Sequence, residues 1–396
     1  MLSSLRISHI GPVPDMRLNL GSRLNLITGD NGLGKTLLLD SAWYALTNTW
    51  PFAWPGKGLV PTDAEARIEW EEEQRSVKRT FRAGYSFKFG SWGTSAVSGH
   101  GSNNGSGSLV VYARVDGGFS ISDPLRVGQD LRGNGQIIGK STCFQFDSNE
   151  AWDGLALNNQ LPGTRVSEGL IRDWMQWALE PGGQTFERFS AIVQALSPTE
   201  KLVPLKKWER VFLDDARDIP LLQTTHGEIP IVHVSAAVRR MLGLAYILVW
   251  AWREHQVIAR LKKQAPLSSM VLLMDEVEAH LHPQWQRRVA PALVAASQAL
   301  GQDVQFQALL TTHSPLVLAS LEPHFDADRD RIFHLTASDG PPRLEELPFV
   351  KQGDVVNWLA SEHFGLQQGR SIEAERAIEA AEAFMRGDSR PAPAGP

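Results

Sequence analysis

The residues of this sequence best suited to chemistry begin with a glycine-rich segment, GDNGLGKT, at positions 29–36. Its spacing, G-x-x-x-x-G-K-[ST], follows a strand pattern and precedes a helical pattern, which is the context of a phosphate-binding loop. Glycines permit the tight turn in which successive backbone N–H groups point inward and hold phosphate oxygens. Lys35 would reach the β- and γ-phosphates, and the Thr36 hydroxyl would bind Mg²⁺. The candidate phosphate-contacting residues are Gly29, Asn31, Gly32, Gly34, Lys35 and Thr36.

Two adjacent carboxylates supply the acidic partner that such a loop requires. The segment MVLLMDE, residues 270–276, is an apolar strand pattern that ends in Asp275 and Glu276. Asp275 would hold Mg²⁺ through water. Glu276 lies one residue further out, where its carboxylate could polarise an attacking water as a general base. The sequence therefore predicts metal-assisted phosphate chemistry at the end of this strand.

The same stretch, VLLMDEVEAHLHPQW at 271–285, also contains the residue types of a transition-metal site. His280 and His282 are an i,i+2 pair, however, and on a helix this spacing does not place two side chains on one face. No cysteine or further histidine cluster stands nearby in the sequence to complete four ligands. The expected metal is the Mg²⁺ that arrives with a nucleotide, and the roles of Glu278, His280 and His282 stay open.

A third segment could join the same site. QFQALLTTHSPLVLAS, residues 305–320, is an apolar strand pattern followed by His313 and then by a helix that Ser314 and Pro315 open. A histidine at a strand end can contact the terminal phosphate and respond to its presence. His313 is therefore a second candidate catalytic residue beside Glu276.

These residues need a sheet that brings several strand ends together. MVLLMD and VQFQALLTT are largely apolar, as expected of parallel strands covered by helices on both faces. Residues 66–82 and 107–114 alternate like exposed antiparallel strands, and helical patterns follow at 167–180 and 185–196. The predicted fold class is α/β: a mixed sheet with flanking helices, an antiparallel β lobe, a helical insertion and C-terminal helices.

The chain divides into five predicted segments. Residues 1–54 carry the glycine-rich loop, and 55–150 form a β lobe with a flexible Gly/Ser-rich loop. Residues 151–230 form a mainly helical insertion. Residues 231–345 carry the acidic pair and the histidine, and 346–396 are C-terminal helices with a disordered tail.

Composition limits the class of protein. The 396 residues carry a net charge of −5, which argues against a uniformly basic nucleic-acid coat but permits a local basic surface. A single cysteine, Cys143, rules out an internal disulfide and suits a reducing cytoplasm. The N-terminus lacks the long apolar core of a signal peptide. The longest apolar run, 241–252, is too short to span a bilayer and predicts a buried helix. We expect a cytoplasmic protein without membrane contact.

Taken together, the three segments resemble the ABC-type ATPases of the SMC/RecF/OLD group. GDNGLGKT at 29–36 resembles Walker A, VLLMDE at 271–276 resembles Walker B with its catalytic glutamate, and TTHSP at 311–315 resembles the switch histidine. DEVEAHLHPQWQ is most similar to the OLD-like, defence-associated branch. The resemblance covers residues 1–50 and 230–340. It implies an ABC-ATPase head, the cofactors ATP and Mg²⁺, and a head-to-head dimer that forms when ATP binds.

The resemblance also implies a signature segment that presses on the γ-phosphate bound to the other subunit. The matching place is VHVSAAVRRMLGLAYIL, where Ser235 would cap a helix and Ala236 and Ala237 replace the usual glycine pair. A helix N-terminus with a hydroxyl is a ready anion site. Arg239 or Arg240 could add charge. An ordinary capped helix is the alternative interpretation.

Two further family features have candidates here. Gln145 in CFQFDSNEAWDG could be the Q-loop glutamine, which contacts nucleotide and Mg²⁺; a polar residue on a strand is the alternative. The usual D-loop aspartate is missing, and His280 and His282 stand in its place. These histidines could line the dimer interface, although packing or helix capping explains them equally well.

The resemblance points to a partner protein. OLD proteins proper carry a C-terminal nuclease domain, but only 83 residues follow His313 here, without an obvious second catalytic module. By analogy with two-component antiphage systems such as the Septu type, whose ATPase is paired with an HNH nuclease, the effector should be a separate polypeptide. Four tryptophans are candidate docking anchors, although core positions are expected for most of them. They are Trp152, Trp174, Trp177 and Trp358.

Two alternatives accompany this hypothesis. The first is a RecF-like DNA repair ATPase that clamps DNA with basic residues of the β lobe. The second is a non-hydrolysing regulator for which ATP is only an assembly ligand. The basic residues are Arg67, Lys78, Arg79 and Arg82.

Overall fold

A computed structural model describes thirteen stretches of the chain. They are residues 1–51, 65–74, 77–87, 91–98, 107–126, 129–131, 137–139, 143–156, 165–197, 201–301, 304–337, 340–361 and 371–386. The strands are β1 Leu2–Ile10, β2 Val13–Asn19, β3 Leu24–Gly29, β4 Arg67–Gln74, β5 Val77–Ser86, β6 Ser91–Ser98, β7 Leu109–Ala113, β8 Phe119–Ser122, β9 Gln129–Leu131, β10 Ile137–Gly139, β11 Cys143–Phe146, β12 Leu155–Ala156, β13 Arg165–Ser167, β14 Val203–Arg210, β15 Asp218–Thr224, β16 Gly227–Pro230, β17 Ser269–Met274, β18 Gln305–Thr311, β19 Asp330–Thr336 and β20 Arg343–Glu346. The helices are α1 Lys35–Thr47, α2 Glu150–Asp153, α3 Leu170–Leu179, α4 Gln184–Leu196, α5 Ala236–Leu261, α6 Pro283–Gln286, α7 Val289–Leu300, α8 Pro315–Leu321, α9 Val355–Leu359 and α10 Ile372–Met385.

The centre of the fold is an eight-stranded mixed sheet in the order β11-β8-β7-β17-β18-β3-β19-β20. The five central strands, from β7 to β19 in this order, run parallel. At the two sides, β8 and β20 pair antiparallel with β7 and β19, and β11 pairs antiparallel with β8. Along β17, Met270 and Leu272 face one hydrophobic core while Val271 and Leu273 face the other. The expectation that these strands are covered on both faces is therefore confirmed, as is the α/β fold class.

The larger core is built around α5. The apolar run predicted as a buried helix forms the middle of α5, where all residues from Met241 to Trp252 are buried. Helices α3, α4 and α7 complete this core. The four candidate docking tryptophans are at most 3% exposed, so core packing accounts for all of them.

The smaller core lies between the main sheet, α1 and a five-stranded antiparallel sheet in the order β2-β1-β4-β5-β6. Strands β4, β5 and β6 of this sheet fall within the β lobe predicted at 55–150, whereas β1 and β2 come from the segment predicted at 1–54. The expectation of an exposed strand at 107–114 is wrong, because β7 is wholly buried and pairs in parallel with β17. The five apolar residues LVVYA belong to the main sheet.

The segment predicted as a helical insertion is more mixed. It contains α3 and α4, but also a three-stranded antiparallel sheet, β14-β15-β16. The expectation of a flexible Gly/Ser-rich loop at 90–108 is wrong for residues 91–98, which form β6 and pair with β5. Residues 99–106 and the tail from 387 onward lie outside the described residues. Within the described part of the chain, no helix is both long and apolar enough to cross a membrane.

A buried carboxyl between α3 and α5 makes stability depend on pH. Tyr246 donates a hydrogen bond of 2.7 Å to Asp173, and burial raises the pKa of Asp173 to about 6. Between about pH 4 and pH 6 the folded protein keeps a proton that the unfolded chain loses, so the free energy of unfolding falls as pH rises and then levels off. Asp173→Asn, whose amide oxygen still accepts the tyrosine bond, should remove this fall of about 3 kcal/mol.

Urea unfolding at pH 4.5 and pH 7.5 should show about 2 kcal/mol of this fall, because the unfolded chain has already lost most of the proton at pH 4.5. The exposed Asp328 provides the control, since Asp328→Asn should keep the wild-type pH dependence. An unchanged pH slope in Asp173→Asn would contradict the assignment.

Candidate nucleotide-binding site

The glycine-rich loop joins β3 to α1, as its sequence predicts. Gly29, Gly32 and Gly34 have φ angles of 130°, 78° and 102°, a region that favours glycine. At Gly29 the backbone approach is also close, because a Cβ there would lie 2.3 Å from the Leu335 carbonyl oxygen. Gly34 forms the N-cap of α1, so the first N–H groups of that helix face the loop.

Lys35 lies inside this loop. Its Nζ donates hydrogen bonds to the carbonyl oxygens of Gly29, at 2.8 Å, and Asp30, at 2.7 Å. The side chain is buried, and burial lowers the pKa of Lys35, while the nearby Asp275 and Glu276 carboxylates oppose this shift. The ammonium group is thus held over the loop by backbone oxygens, in reach of any phosphate bound there.

Asp275 directly follows β17 and is held by two hydroxyl groups. Thr36 Oγ1 donates to one carboxylate oxygen at 2.8 Å, and Thr311 Oγ1 donates to the other at 2.6 Å. Asp275 is 2% exposed. Three segments that are distant in sequence therefore meet at one carboxylate. The structure brings Thr36 and Asp275 into contact, and their predicted roles toward Mg²⁺ stay predictions.

Glu276 has an unusual backbone conformation that Thr311 and Arg240 support. Its φ of 47° is rare for a residue other than glycine. Its N–H donates to Thr311 Oγ1 at 2.8 Å. Arg240 of α5 donates to the carbonyl oxygens of Asp275 and Glu276 at 3.2 and 3.3 Å. Backbone strain of this kind persists only where surrounding contacts enforce it, and it is frequent at functional sites.

The positions of Thr311 and Arg240 were not predicted as contacts of the acidic pair. The sequence offered Arg240 only as a source of charge and Thr311 only as part of TTHSP. In the structure, burial lowers the pKa of Arg240, and the acids Glu276, Glu278 and Asp275 oppose this shift. The guanidinium of Arg240 thus lies against the backbone of Asp275 and Glu276.

Glu278 connects the acidic turn, residues 275–278, to His313. One of its carboxylate oxygens accepts the backbone N–H of His313. The other oxygen is buried and has no hydrogen-bond partner among the described residues. His313 itself is half-buried and immediately follows the buried Thr312. The sequence did not predict this contact of Glu278. The contact holds the backbone N–H of His313 in a defined position.

The two neighbouring histidines have local structural positions. His282 is the N-cap of α6, where its Nδ1 accepts from Gln284 N at 3.4 Å. His280 is exposed, has a φ of 63°, and lines a cavity of about 200 Å³ with Arg239 and Arg240. Within the stretches described, no group of three or more His, Cys, Asp or Glu side chains could hold a metal ion.

Ser235 and Gln145 lie apart from this centre. Ser235 is the exposed N-cap of α5, and its Oγ accepts from Val238 N at 3.4 Å. Gln145 is exposed on the edge strand β11, three strands away from β17. Neither side chain contacts Lys35 or Asp275 in the described residues of one protomer. Their predicted contacts with nucleotide stay predictions.

A second acid, the half-buried Asp40, lies on α1 within electrostatic reach of Asp275. Tyr112 of β7 donates to Asp40 of α1 at 3.0 Å. Burial raises the pKa of Asp40 to about 7, and the negative charge of Asp275 adds to the shift. A proton on Asp40 near neutral pH lessens the repulsion between the two carboxyl groups. The only sequence signal for this acid was a polar position within an otherwise apolar helix.

Two family models match the chain. The model described as "AAA domain, putative AbiEii toxin, Type IV TA system" matches residues 210–319, and one described as "AAA domain" matches residues 4–145. Septu protein PtuA of Bacillus thuringiensis is 22% identical over 406 residues, covering 96% of this chain and 88% of that protein. The resemblance to ATPases of the SMC/RecF/OLD group is confirmed. The chain is thus similar to AAA-domain proteins and to a Septu protein.

A second relative matches a shorter region. "Retron Vc95 probable ATPase" of Vibrio cholerae serotype O1 biovar El Tor is 27% identical over 122 residues, which is 28% of this chain and 22% of that protein. Two solved structures also match the chain. The SMC head domain from Thermotoga maritima has a TM-score of 0.43 at 13% identity and covers 88% of this chain and 99% of its own. The recombination mediator protein RecF has a TM-score of 0.42 at 12% identity, with coverages of 88% and 98%.

Proposed function

We propose that this SMC/RecF/OLD-type ATPase relative binds ATP at the loop of residues 29–36 and hydrolyses it. The observation that carries the proposal is the convergence on Asp275, which both Thr36 and Thr311 contact beside the buried ammonium of Lys35. Backbone N–H groups, a lysine, a hydroxyl and a carboxylate are the groups that phosphate and its metal ion require.

The residues present fit Mg²⁺. Thr36 Oγ1 and Asp275 Oδ2 stand 2.8 Å apart, and hydroxyl and carboxylate oxygens are the ligands that Mg²⁺ prefers. Thr36 would bind the ion directly and Asp275 would hold it through water. When bound, the ion neutralises charge on the phosphate oxygens. Gln145 is a candidate for a further ligand only if β11 and the loop approach each other when nucleotide binds.

Glu276 is the proposed general base. Its backbone is fixed by Thr311 and Arg240, so the side chain starts from a defined position at the end of β17. Its carboxylate would take a proton from the water that attacks the γ-phosphate. His313, held through its N–H by Glu278, would contact the γ-phosphate and respond to its presence.

We further propose a head-to-head dimer and a separate effector. Ser235 is exposed at the start of α5, where a second protomer could bring its bound γ-phosphate. The relatives named Septu and Retron support a role in antiphage defence, with a nuclease as the expected partner. ATP would close the dimer, and hydrolysis through Glu276 would open it.

The DNA-clamping alternative has less support in the β lobe. Lys78, Arg79 and Arg82 lie directly opposite glutamates of β4 in the strand register. Arg82 forms an ion pair with Glu69. Acids beside these cations lower the local positive potential that a phosphate backbone would seek.

ATP turnover by the purified chain tests the proposal. The wild type should hydrolyse ATP with Mg²⁺, and Lys35→Ala should weaken ATP binding about 10- to 100-fold because a charge-assisted hydrogen bond to phosphate is lost. Phosphate release measures the rate of hydrolysis and ATP titration measures the affinity for ATP, each with and without DNA. Absence of turnover in every condition, with ATP binding intact, would favour the non-hydrolysing regulator.

A further inference from the structure

A second cavity, of about 630 Å³, lies between α4 and the C-terminal half of α5. Its size falls within the range of small-molecule pockets. Its charged and polar lining side chains come from both helices and from the connections beside them. They are Glu180, Gln184, Thr185, Arg188, Arg253, Gln256, Arg260 and Gln264. We call this the arginine cavity.

Helical periodicity places these side chains around the arginine cavity. Arg253, Gln256 and Arg260 follow one another at i, i+3 and i+7 on α5, which is one face of a helix. Gln184 and Arg188 stand at i and i+4 on α4. Two helix faces therefore present guanidinium and amide donors to each other across the cavity.

The positive charge in the arginine cavity is not balanced. Among the described residues, Arg188 and Arg260 have no carboxylate within ion-pair distance, whereas Arg253 contacts Glu180 at 3.5 Å and Glu254 at 3.6 Å. Arg188 is half-buried, and burial lowers its pKa with no acid acting against the shift. A partly desolvated guanidinium without a counter-charge is unfavourable, and an anion between the helices would relieve that cost.

We propose that the arginine cavity binds a phosphate-bearing small molecule of about nucleotide size. Guanidinium groups form paired hydrogen bonds with phosphate oxygens, and Arg188 and Arg260 are free to form them. The glutamines and Thr185 supply further donors. The first backbone N–H groups of α4 also open beside the cavity, since Gly182, Gln184 and Thr185 belong to its wall.

This site is distinct from the loop of residues 29–36. Arg240, which contacts the acidic turn, and Arg260 belong to the same uninterrupted helix, 20 residues apart. At 1.5 Å per residue, the two positions are on the order of 30 Å apart. A ligand in the arginine cavity would therefore bind in addition to a nucleotide at Lys35, at the opposite end of α5.

Calorimetric titration of a Lys35→Ala background with tripolyphosphate tests the proposal. The background should still bind one equivalent, and adding Arg188→Gln with Arg260→Gln should weaken that binding about tenfold or more. Arg165→Gln with Arg172→Gln removes the same charge from an exposed, glutamate-paired site and should leave binding unchanged. Circular dichroism checks that each variant is folded. The proposal is overturned if tripolyphosphate does not bind to the Lys35→Ala protein, or if both double variants lose the same affinity for tripolyphosphate.

Two further probes identify the ligand source. ATP binding to the Lys35→Ala background at the arginine cavity, again lost with Arg188→Gln and Arg260→Gln, would support a nucleotide. A 5′-phosphorylated pentanucleotide that binds while ATP and tripolyphosphate do not would overturn the small-molecule assignment and favour a nucleic-acid strand.

Discussion

Glu276→Gln should bind ATP as the wild type does and hydrolyse it about 100- to 10,000-fold more slowly, the usual contribution of a general base. The amide keeps the size of the side chain but cannot accept the proton of the attacking water. The backbone contacts of residue 276 with Thr311 and Arg240 do not involve the side chain, so the turn should keep its shape. Single-turnover phosphate release, measured with saturating ATP, separates this step from binding.

Glu278→Gln provides the matched control two residues further on. Its amide oxygen can still accept the His313 N–H, so its loss of turnover should be much smaller. If both variants lose turnover equally, Glu276 is not the general base.

The slow Glu276→Gln protein should also accumulate as an ATP-bound dimer, which sedimentation velocity would detect. Ser235→Arg added to it should prevent that dimer, because the exposed start of α5 would then carry a bulky charge.

Thr311→Val has the next largest expected effect. The hydroxyl of Thr311 donates to Asp275 and accepts from Glu276 N, so one group orients both acids. Valine has nearly the same shape but leaves a buried carboxylate oxygen and a backbone N–H without that partner. Mg²⁺-dependent turnover should fall about 10- to 100-fold, as is usual when a residue supporting a metal ligand is lost. The free energy of unfolding should fall by about 1–3 kcal/mol.

Thr312→Val separates the catalytic from the structural part of this effect. Thr312 is equally buried, and its hydroxyl accepts from Ser314 N instead of contacting Asp275. A similar loss of stability with nearly wild-type turnover is expected. The two variants should differ in the Mg²⁺ concentration that supports half-maximal turnover. Equal Mg²⁺ dependence in both would show that Thr311 does not act through Asp275.

The sequence was most informative where chemistry depends on neighbours along the chain. The spacing of GDNGLGKT specifies a turn between a strand and a helix, and the structure contains that turn. The largely apolar character of β17 and β18 predicted strands covered on both faces. Local spacing and local polarity suffice for such features because the physical cause lies within a few residues.

Contacts between distant segments could not be predicted in this way. Glu276 and Thr311 are 35 residues apart, and so are Arg240 and Asp275. No period in the sequence specifies which hydroxyl or guanidinium reaches the acidic turn, because strand order decides it. The misplacement of β7 has a similar origin. Five apolar residues between polar loops fit either an exposed hairpin or a central strand, and only pairing with β17 distinguishes them.

The position of β3 in the main sheet has a consequence for biosynthesis. β3 lies between β18 and β19, although Leu24 precedes its partner Ala308 by 284 residues. At ~5–20 residues per second, a ribosome would complete β3 roughly 14 to 57 seconds before that partner exists. During this interval β3 has no neighbouring strands with which to pair. The high contact order of the main sheet also makes its formation slow. Capture of ATP by a nascent chain would therefore mark the moment at which the two halves of the head have met.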